Sequence, residues 1–350
     1  MIDYTRRRTT GALAALALAP LLGACADRSR ARLATFAGPT MAGTYAVKLA
    51  RPGRLSAAAE QALAQEIFAT VDAVDRAMST YRHDSELARL NRHGADRAFA
   101  ASPALAEVLA KARAVSAASD GAFDVTIGPL VNAWGFGPSG RAALPSPEDI
   151  ARLRERVDWR AVELDSVGDA VRKARPDTYA DLSGIAQGYG ADRIAAVLES
   201  SGFGDYLVEV SGEVRAHGVN ADGVPWRIGI ERPDAPDRTP HLVLPLADRA
   251  LATSGDYRNW FEHDGRRYAH EIDPATGTPA RHALASVSIV HPDCALADAW
   301  ATALFVLGPE QGYALAERER LAAYFIVRAP GGGFVERQST AFAALGAQRA

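Results

Sequence analysis

The window CALADAWATALFVLG, Cys294–Gly308, has the composition of a buried helix, yet Asp298 stands in its middle as the only charge. An ionised carboxylate among Leu, Ala, Trp and Val costs several kcal/mol, roughly, unless something compensates it. Thr302 follows four residues later, so on a helix the two side chains leave one face a turn apart. A carboxylate and a hydroxyl at that spacing are hard oxygen donors, suited to Mg2+ and unsuited to soft metals. The same spacing permits a plainer arrangement, with Asp298 bonded to a backbone turn or an arginine and Thr302 bonded back to its own helix.

Three further stretches carry candidate chemistry. In YADLSGIAQGYGADRIAAVL (Tyr179–Leu198) a strand is expected to end at Asp181-Leu182 and a Ser-Gly turn to open a helix. The free N–H groups of such a helix start favour anions such as phosphate, although Asp181 could simply cap the helix. GAFDVTIGPLVNAWGFG (Gly121–Gly137) reads as a long structured loop, and such loops often line sites. In RRYAHEIDPATGTP (Arg266–Pro279), His270 precedes an Asp-Pro turn. A histidine there is either structural or a general base working near neutral pH.

These residues need a scaffold. Thr40–Ala50 reads as a strand, and residues 56–80 as an amphipathic helix capped by Ser56, with Leu63, Ile67, Val71, Val74 and Met78 on one face. A second helix opens at Ser102-Pro103 and stops at Gly121, and a third starts at Ser146. From Arg160 onward short strands dominate (DTYADL, DYLVEV, WRIGIERP, HLVLPL, ASVSIV, AAYFIV), interrupted by helices after Gly184 and around Asp298. That order predicts an α+β fold with mixed, largely antiparallel sheets and flanking helices, in a single domain that could form two lobes.

The first residues predict a leader rather than fold. TRRRTTGALAALALAPLLGAC joins Arg6, Arg7 and Arg8 to an apolar run too short for a permanent bilayer span, with small residues before Cys25. LLGAC resembles the lipobox of bacterial lipoproteins, which makes residues 1–24 a signal peptide, Cys25 a lipidated residue and 25–38 a tether. The 350-residue chain has a net charge of −3, and loss of the leader removes three Arg and one Asp to leave −5. No basic field for nucleic acid remains. With Cys25 lipidated, only Cys294 is left, so no intrachain disulfide forms and Cys294 is expected to pack.

In this order the motifs resemble the ApbE family, the FAD:protein FMN transferases. The resemblance rests on MAGTY (Met41–Tyr45), MSTYRHDSELARLN (Met78–Asn91) and GAFDVTIGPLVNAWGFG, then DLSGIAQGYGAD (Asp181–Asp192) and YLVEVSGEVRAHG (Tyr206–Gly218). It continues through ATSGDYRNWF (Ala252–Phe261), HEIDPATG (His270–Gly277) and ALADAWATALFVLG (Ala295–Gly308). It spans residues 39–350 as one transferase domain. It implies Mg2+ held by Asp298, Thr302 and a backbone oxygen at Gly184. It implies FAD contacts at Met41, Tyr81, Ala122, Phe123, Asp124, Asp181, Gln187 and Ile272.

The implied reaction cleaves FAD and moves FMN onto a Ser or Thr hydroxyl of an acceptor flavoprotein carrying a flavinylation motif, releasing AMP. His270 is the candidate base, with Asp298 as a weaker one. The implied location is the periplasmic side of a bacterial membrane, anchored through the lipid. The same residues would also serve hydrolysis of FAD to FMN and AMP, whereas a carrier of FAD needs neither base nor metal. Two positions depart from the usual pattern: Gln187 stands in place of Lys or Glu, and Ser211 in place of Gly, where only packing is expected to change.

Overall fold

The computed structural model describes residues 33–350 apart from 42, 52, 54, 139, 141–143 and 166–169. The expected leader, Cys25 and the tether up to residue 32 lie outside the described residues. Residues 33–38 are not tether. They belong to β1 (Leu33–Thr40), whose alternating burial sends Ala34 and Phe36 inward. β1 pairs with β2 (Gly43–Ala50) in a register that places Thr40 opposite Gly43. The stretch expected as one strand from Thr40 is therefore a hairpin corner, and Met41 takes a left-handed φ of 42° to turn it.

Six more strands complete an eight-stranded sheet: β3 (Tyr206–Val210), β4 (Glu213–His217), β5 (Arg249–Gly255), β6 (Leu284–His291), β7 (Ala322–Arg328) and β8 (Phe334–Gln338). They lie side by side in chain order, every neighbouring pair antiparallel. Non-local connections therefore carry the variety of the fold, inserted between strands that are themselves a simple succession.

Four long helical stretches form the layer on one side of the sheet: α1 (Ala57–Met78), α2 (Pro103–Ala118), α3 (Ala186–Ser200) and α4 (Cys294–Arg318); α4 is kinked where Gly308 leaves helical backbone at φ 76°, and α2 packs mainly on α4 and α1. Ser56 and Ser102 cap α1 and α2 by accepting from Ala59 and Leu105 N–H, and the expected α1 face is buried. Val47, Val208, Val287 and Phe325 meet the helices from alternate strand positions with no exposed surface. Each such side chain contributes roughly 1.5–3 kcal/mol on burial. The other face packs on a smaller sheet, formed by Trp226–Glu231, Pro240–Leu246 and Gln348–Arg349, through residues such as Leu251, Tyr324 and Ile326. The fold is α+β and largely antiparallel, as the strand-rich second half predicts. No helix among the described residues is long and apolar enough to cross a membrane.

A third, smaller core supports the site. Leu130, Trp134, Leu153 and Ile272 pack together, with Phe136, Phe261 and Tyr268 against them. They join the Gly121–Gly137 stretch, which contains a short helix (Gly128–Ala133), to the hairpin Trp260–His263/Arg266–Ala269 that leads into His270. The Trp134 indole N–H donates to the Gly277 carbonyl at 2.8 Å and pins the Asp-Pro turn. DTYADL departs from expectation. Asp177 ends a turn and the rest joins no strand: the Ala180 N–H donates to Asn91 Oδ1 and the Asp181 N–H to the Val125 carbonyl.

α3 and α4 touch backbone to backbone at Gly188, where a Cβ would lie 2.3 Å from the Cys294 carbonyl oxygen and 2.9 Å from Ala295 Cα. On helix propensity alone Gly188→Ala would stabilise the protein by about 1 kcal/mol. The contact reverses the sign: Gly188→Ala is expected to destabilise by about 2–3 kcal/mol in urea unfolding. A gain in stability would show that the two helices are free to separate.

Candidate functional site

A cavity of about 790 Å3 opens where α3, α4, the end of β5, the Gly121–Gly137 stretch and the His270 segment converge. That volume suits a bound cofactor or dinucleotide. All twelve binding, metal and catalytic positions expected within the fold line this one cavity. Their roles need separate treatment.

Asp298 and Thr302 leave α4 one turn apart, as the spacing predicts. Asp298 is 6% exposed, and its Oδ2 accepts from the Gly188 N–H at 3.1 Å. Gly188 lies in the first turn of α3, where amides lack partners within the helix, so a helix N-terminus faces the carboxylate. Part of the plainer reading therefore holds: Asp298 does bond to a backbone turn. The compensation is incomplete, because burial, opposed by that single bond, pushes the carboxyl up to about 7. Glu213, half-buried at the start of β4, lines the same cavity, and its carboxyl is driven well above the usual range by burial and then by the charge of Asp298.

Thr302 Oγ1 lies 3.4 Å from Ser254 Oγ at the end of β5. Gly184 runs alongside, with a hypothetical Cβ 3.2 Å from Thr302 Oγ1 and 3.1 Å from Phe123. A larger residue at 184 would crowd the hydroxyl. Carboxylate, hydroxyl and main chain thus meet at one end of the cavity, around an acid that burial leaves under-compensated, and this donor set fits a hard cation. Among the described residues no group of three or more His, Cys, Asp or Glu forms a metal cage. The fit is to a site completed by ligand oxygens rather than to an all-protein one.

The start of α4 is anchored twice. Asp293 caps it by accepting from the Leu296 N–H at 2.8 Å, and Asp192 of α3 accepts from the Cys294 and Ala295 N–H groups at 2.8 and 2.9 Å. Lys111 of α2 holds Asp293 at 2.5 Å. Cys294 is buried and free, its thiol pushed far up by burial, as its packing role requires.

Two expected contacts are engaged in building the loops. Asp124 accepts from the Thr126 N–H and hydroxyl at 2.7 and 2.6 Å and from the Trp159 N–H at 3.0 Å. Asp181 accepts from the Ser183 N–H and hydroxyl at 2.9 and 2.5 Å. It ties the turn and does not cap α3, whose N-cap is Ile185 without a side-chain bond. Both carboxyls are shifted up, chiefly by burial. Gln187, in the first turn of α3, has a buried Oε1 without a hydrogen-bond partner among the described residues.

The apolar positions form walls. Phe123 and Ile272 are buried, and Ala122 adjoins Phe123. Met41 reaches α3, close enough that a Cβ on Gly190 would lie 3.0 Å from its Cε. Tyr81 is 55% exposed and donates from its hydroxyl to the Phe136 carbonyl at 3.0 Å, which holds its ring at the mouth.

His270 keeps 40% of its side-chain surface open, and its Nδ1 lies 3.0 Å from Glu271 Oε2. Burial pulls the imidazole pKa down, but the Glu271 carboxylate and the Asn259 carbonyl outweigh it and raise it above the ordinary value.

Several lining residues escaped the sequence reading: Glu271, Ser254, and the charged wall in which Arg238 bonds Glu209 at 2.9 Å and Arg258 bonds Glu231 through Nε at 3.0 Å. Glu231 and Arg238 lie on or beside the smaller sheet, whose approach no local motif announces. Ser211 also lines the cavity, at a left-handed φ of 55°. The backbone, more than packing, explains why glycine suits that position.

The ApbE family model matches residues 41–325. The chain is 42% identical to the FAD:protein FMN transferase of Vibrio cholerae, over 94% of this chain and 97% of that one. It is 40% identical to the transferase of the same name from Haemophilus influenzae, over 97% and 98%. The apo crystal structure of the Pseudomonas stutzeri flavinyl transferase ApbE superposes with a TM-score of 0.82 at 41% identity, covering 91% of this chain and 98% of that one. With its sequence blocks, its fold and its cavity in agreement, the chain belongs to the ApbE family.

Proposed function

We propose that this protein is a flavin transferase that cleaves FAD, attaches FMN to a Ser or Thr hydroxyl of an acceptor protein and releases AMP. The observation that carries the reading is the meeting of Asp298, Thr302 and the Gly184 main chain in the cavity that also receives His270. The names of the relatives, FAD:protein FMN transferase, agree with it.

Asp298, Thr302 and the Gly184 carbonyl would hold Mg2+, which supplies charge neutralisation to a bound diphosphate. Met41, Tyr81, Ala122, Phe123 and Ile272 cover the faces of the dinucleotide and keep water from them. Gln187 offers its unpartnered oxygen to a polar edge. Asp124 and Asp181 shape the walls through the loops they tie together. The acceptor hydroxyl oxygen bonds to the FMN-side phosphorus while the bond from that phosphorus to the bridging oxygen breaks. That oxygen leaves with AMP, and the hydroxyl proton passes to His270. Export by the leader and lipid anchoring at Cys25, on the periplasmic side of a membrane, complete the proposal and rest on LLGAC and its basic, apolar approach.

Two outcomes test the site. An aspartate raised to about 7 in the fold binds more protons folded than unfolded between about pH 4 and 7, so its ionisation removes stability as pH rises through that window. Metal-free protein should therefore melt lower at about pH 8 than at about pH 5. Mg2+ at 100 times its Kd should restore about 2.7 kcal/mol at the higher pH. Asp298→Asn should lose the Mg2+ response, and an equal response in both proteins would remove Asp298 from the metal site.

The reaction is tested by mass spectrometry of residues 25–350 mixed with FAD, Mg2+ and an acceptor peptide. A covalent FMN adduct with equimolar AMP is expected, and His270→Ala should slow its formation by about 100-fold or more while still binding FAD. FMN and AMP without adduct would make the protein a hydrolase, and intact bound FAD a carrier.

A further inference from the structure

We propose that Glu271 is the positioning residue of the site, its carboxylate set against His270 Nδ1 so that the proton rests on that nitrogen and Nε2 is the one presented to the acceptor hydroxyl. The inference rests on the transfer reaction proposed above and assigns a role that the HEIDPATG motif alone does not suggest.

Neighbouring residues of a strand point to opposite faces, which would separate these two side chains. Here they do not. His270 sits in a bend, Glu271 precedes the two-residue strand Ile272–Asp273, and the change of direction brings Nδ1 to 3.0 Å from Oε2. The Glu271 backbone is fixed from the other side: its carbonyl accepts from the Ala280 N–H at 2.9 Å, and Ile272 pairs with Pro279.

The Glu271 side chain is 4% exposed, and among the described residues neither its carboxylate oxygens nor His270 Nδ1 has an aligned hydrogen-bond partner, so the 3.0 Å approach is a close ionic contact. A carboxylate left in that state is costly. Its one close counter-group among the described residues is the His270 ring, which bears positive charge when it has taken a proton. The arrangement is therefore suited to the moment after proton transfer, when a buried anion and a new imidazolium stabilise each other.

The other charges around His270 do not compete for this role. Asp256 is neutralised by Arg328, whose two terminal nitrogens lie 2.8 and 2.6 Å from its oxygens. His282 also lies in the field of Glu271 and Asp256, but burial pushes its pKa down, which keeps that ring neutral. The Asn259 carbonyl assists His270 without carrying a full charge. Glu271 is the remaining anion in contact. In the reaction the acceptor proton moves to His270 Nε2, the acceptor oxygen joins the FMN phosphorus, and AMP departs with the bridging oxygen.

The test compares wild type, Glu271→Gln and Glu271→Asp in three measurements. In steady-state flavin transfer, Glu271→Gln should lower kcat by about 10- to 100-fold with KM for FAD within about twofold, and Glu271→Asp should recover part of the loss. The acidic limb of the pH profile, set by loss of the His270 proton, should move to lower pH in Glu271→Gln, because the anion that favours imidazolium is gone. In the free protein, the His270 ring resonance should titrate at lower pH by the same shift.

An unshifted ring titration overturns the proposal, whatever happens to activity. So does a Glu271→Gln protein that melts higher yet keeps wild-type kcat and pH profile, because the carboxylate would then be only a buried cost. If Glu271→Gln fails to fold, the ring titration in Glu271→Asp decides. If wild type makes no adduct, the transfer reading fails while the titration still decides the contact.

Discussion

A buried carboxylate set against the start of a neighbouring helix is the interaction on which the rest of this structure depends. Asp298 has an apolar helix around it and one Gly188 amide in front of it. That approach exists only because residue 188 lacks a side chain and lets α3 meet the backbone of α4 at the Cys294 carbonyl. Asp192 and Asp293 then hold the first turn of α4, and Lys111 ties that turn to α2. The helix layer is thus built around an anion that it does not fully compensate. That shortfall, near the start of α4, supports the cation site proposed above.

The opposite side of the cavity follows a different logic. His270 is carried by an insertion between β5 and β6, whose position is set by a small aromatic core and not by the main sheet. Phe136 meets the Phe261 ring at 5.3 Å, Phe261 stacks on Tyr268 at 5.2 Å, and Tyr268 stacks on Trp134 at 5.5 Å. This chain of rings connects the Gly121–Gly137 stretch to the hairpin before His270. The Asp298 side of the cavity therefore rests on helix–helix contact and the His270 side on aromatic packing, two supports that share little sequence.

How much of this was legible follows the range of the interactions. Local periodicity located α1, and Ser56, Ser102 and Ser146 marked helix starts that the structure keeps. The i, i+4 spacing put Asp298 and Thr302 on one face, and ordered motifs brought together residues that the fold gathers into one cavity. Long-range features stayed hidden. Residues 33–38 look like tether until β2 pairs with them, and DTYADL looks like a strand until Asn91 and Val125 take its amides. Asp181 was a candidate cap, yet its carboxylate serves the Ser183 turn. Glu271 could not be read as a partner of His270, because adjacent residues in an assumed strand diverge and only the bend reveals otherwise. Ser211 shows the same limit in the backbone: its left-handed φ leaves no mark in the sequence.

The central claim is that a divalent cation belongs between Asp298, Thr302 and the diphosphate of a bound dinucleotide. Anomalous diffraction from crystals soaked with Mn2+ and FAD addresses it directly, since manganese scatters where magnesium would sit. The account predicts one strong peak with Asp298, Thr302 and the Gly184 carbonyl at about 2.0–2.2 Å and phosphate oxygens completing an octahedron. FAD bound in the cavity with no peak at that position, and Asp298 still facing only the Gly188 amide, would contradict it.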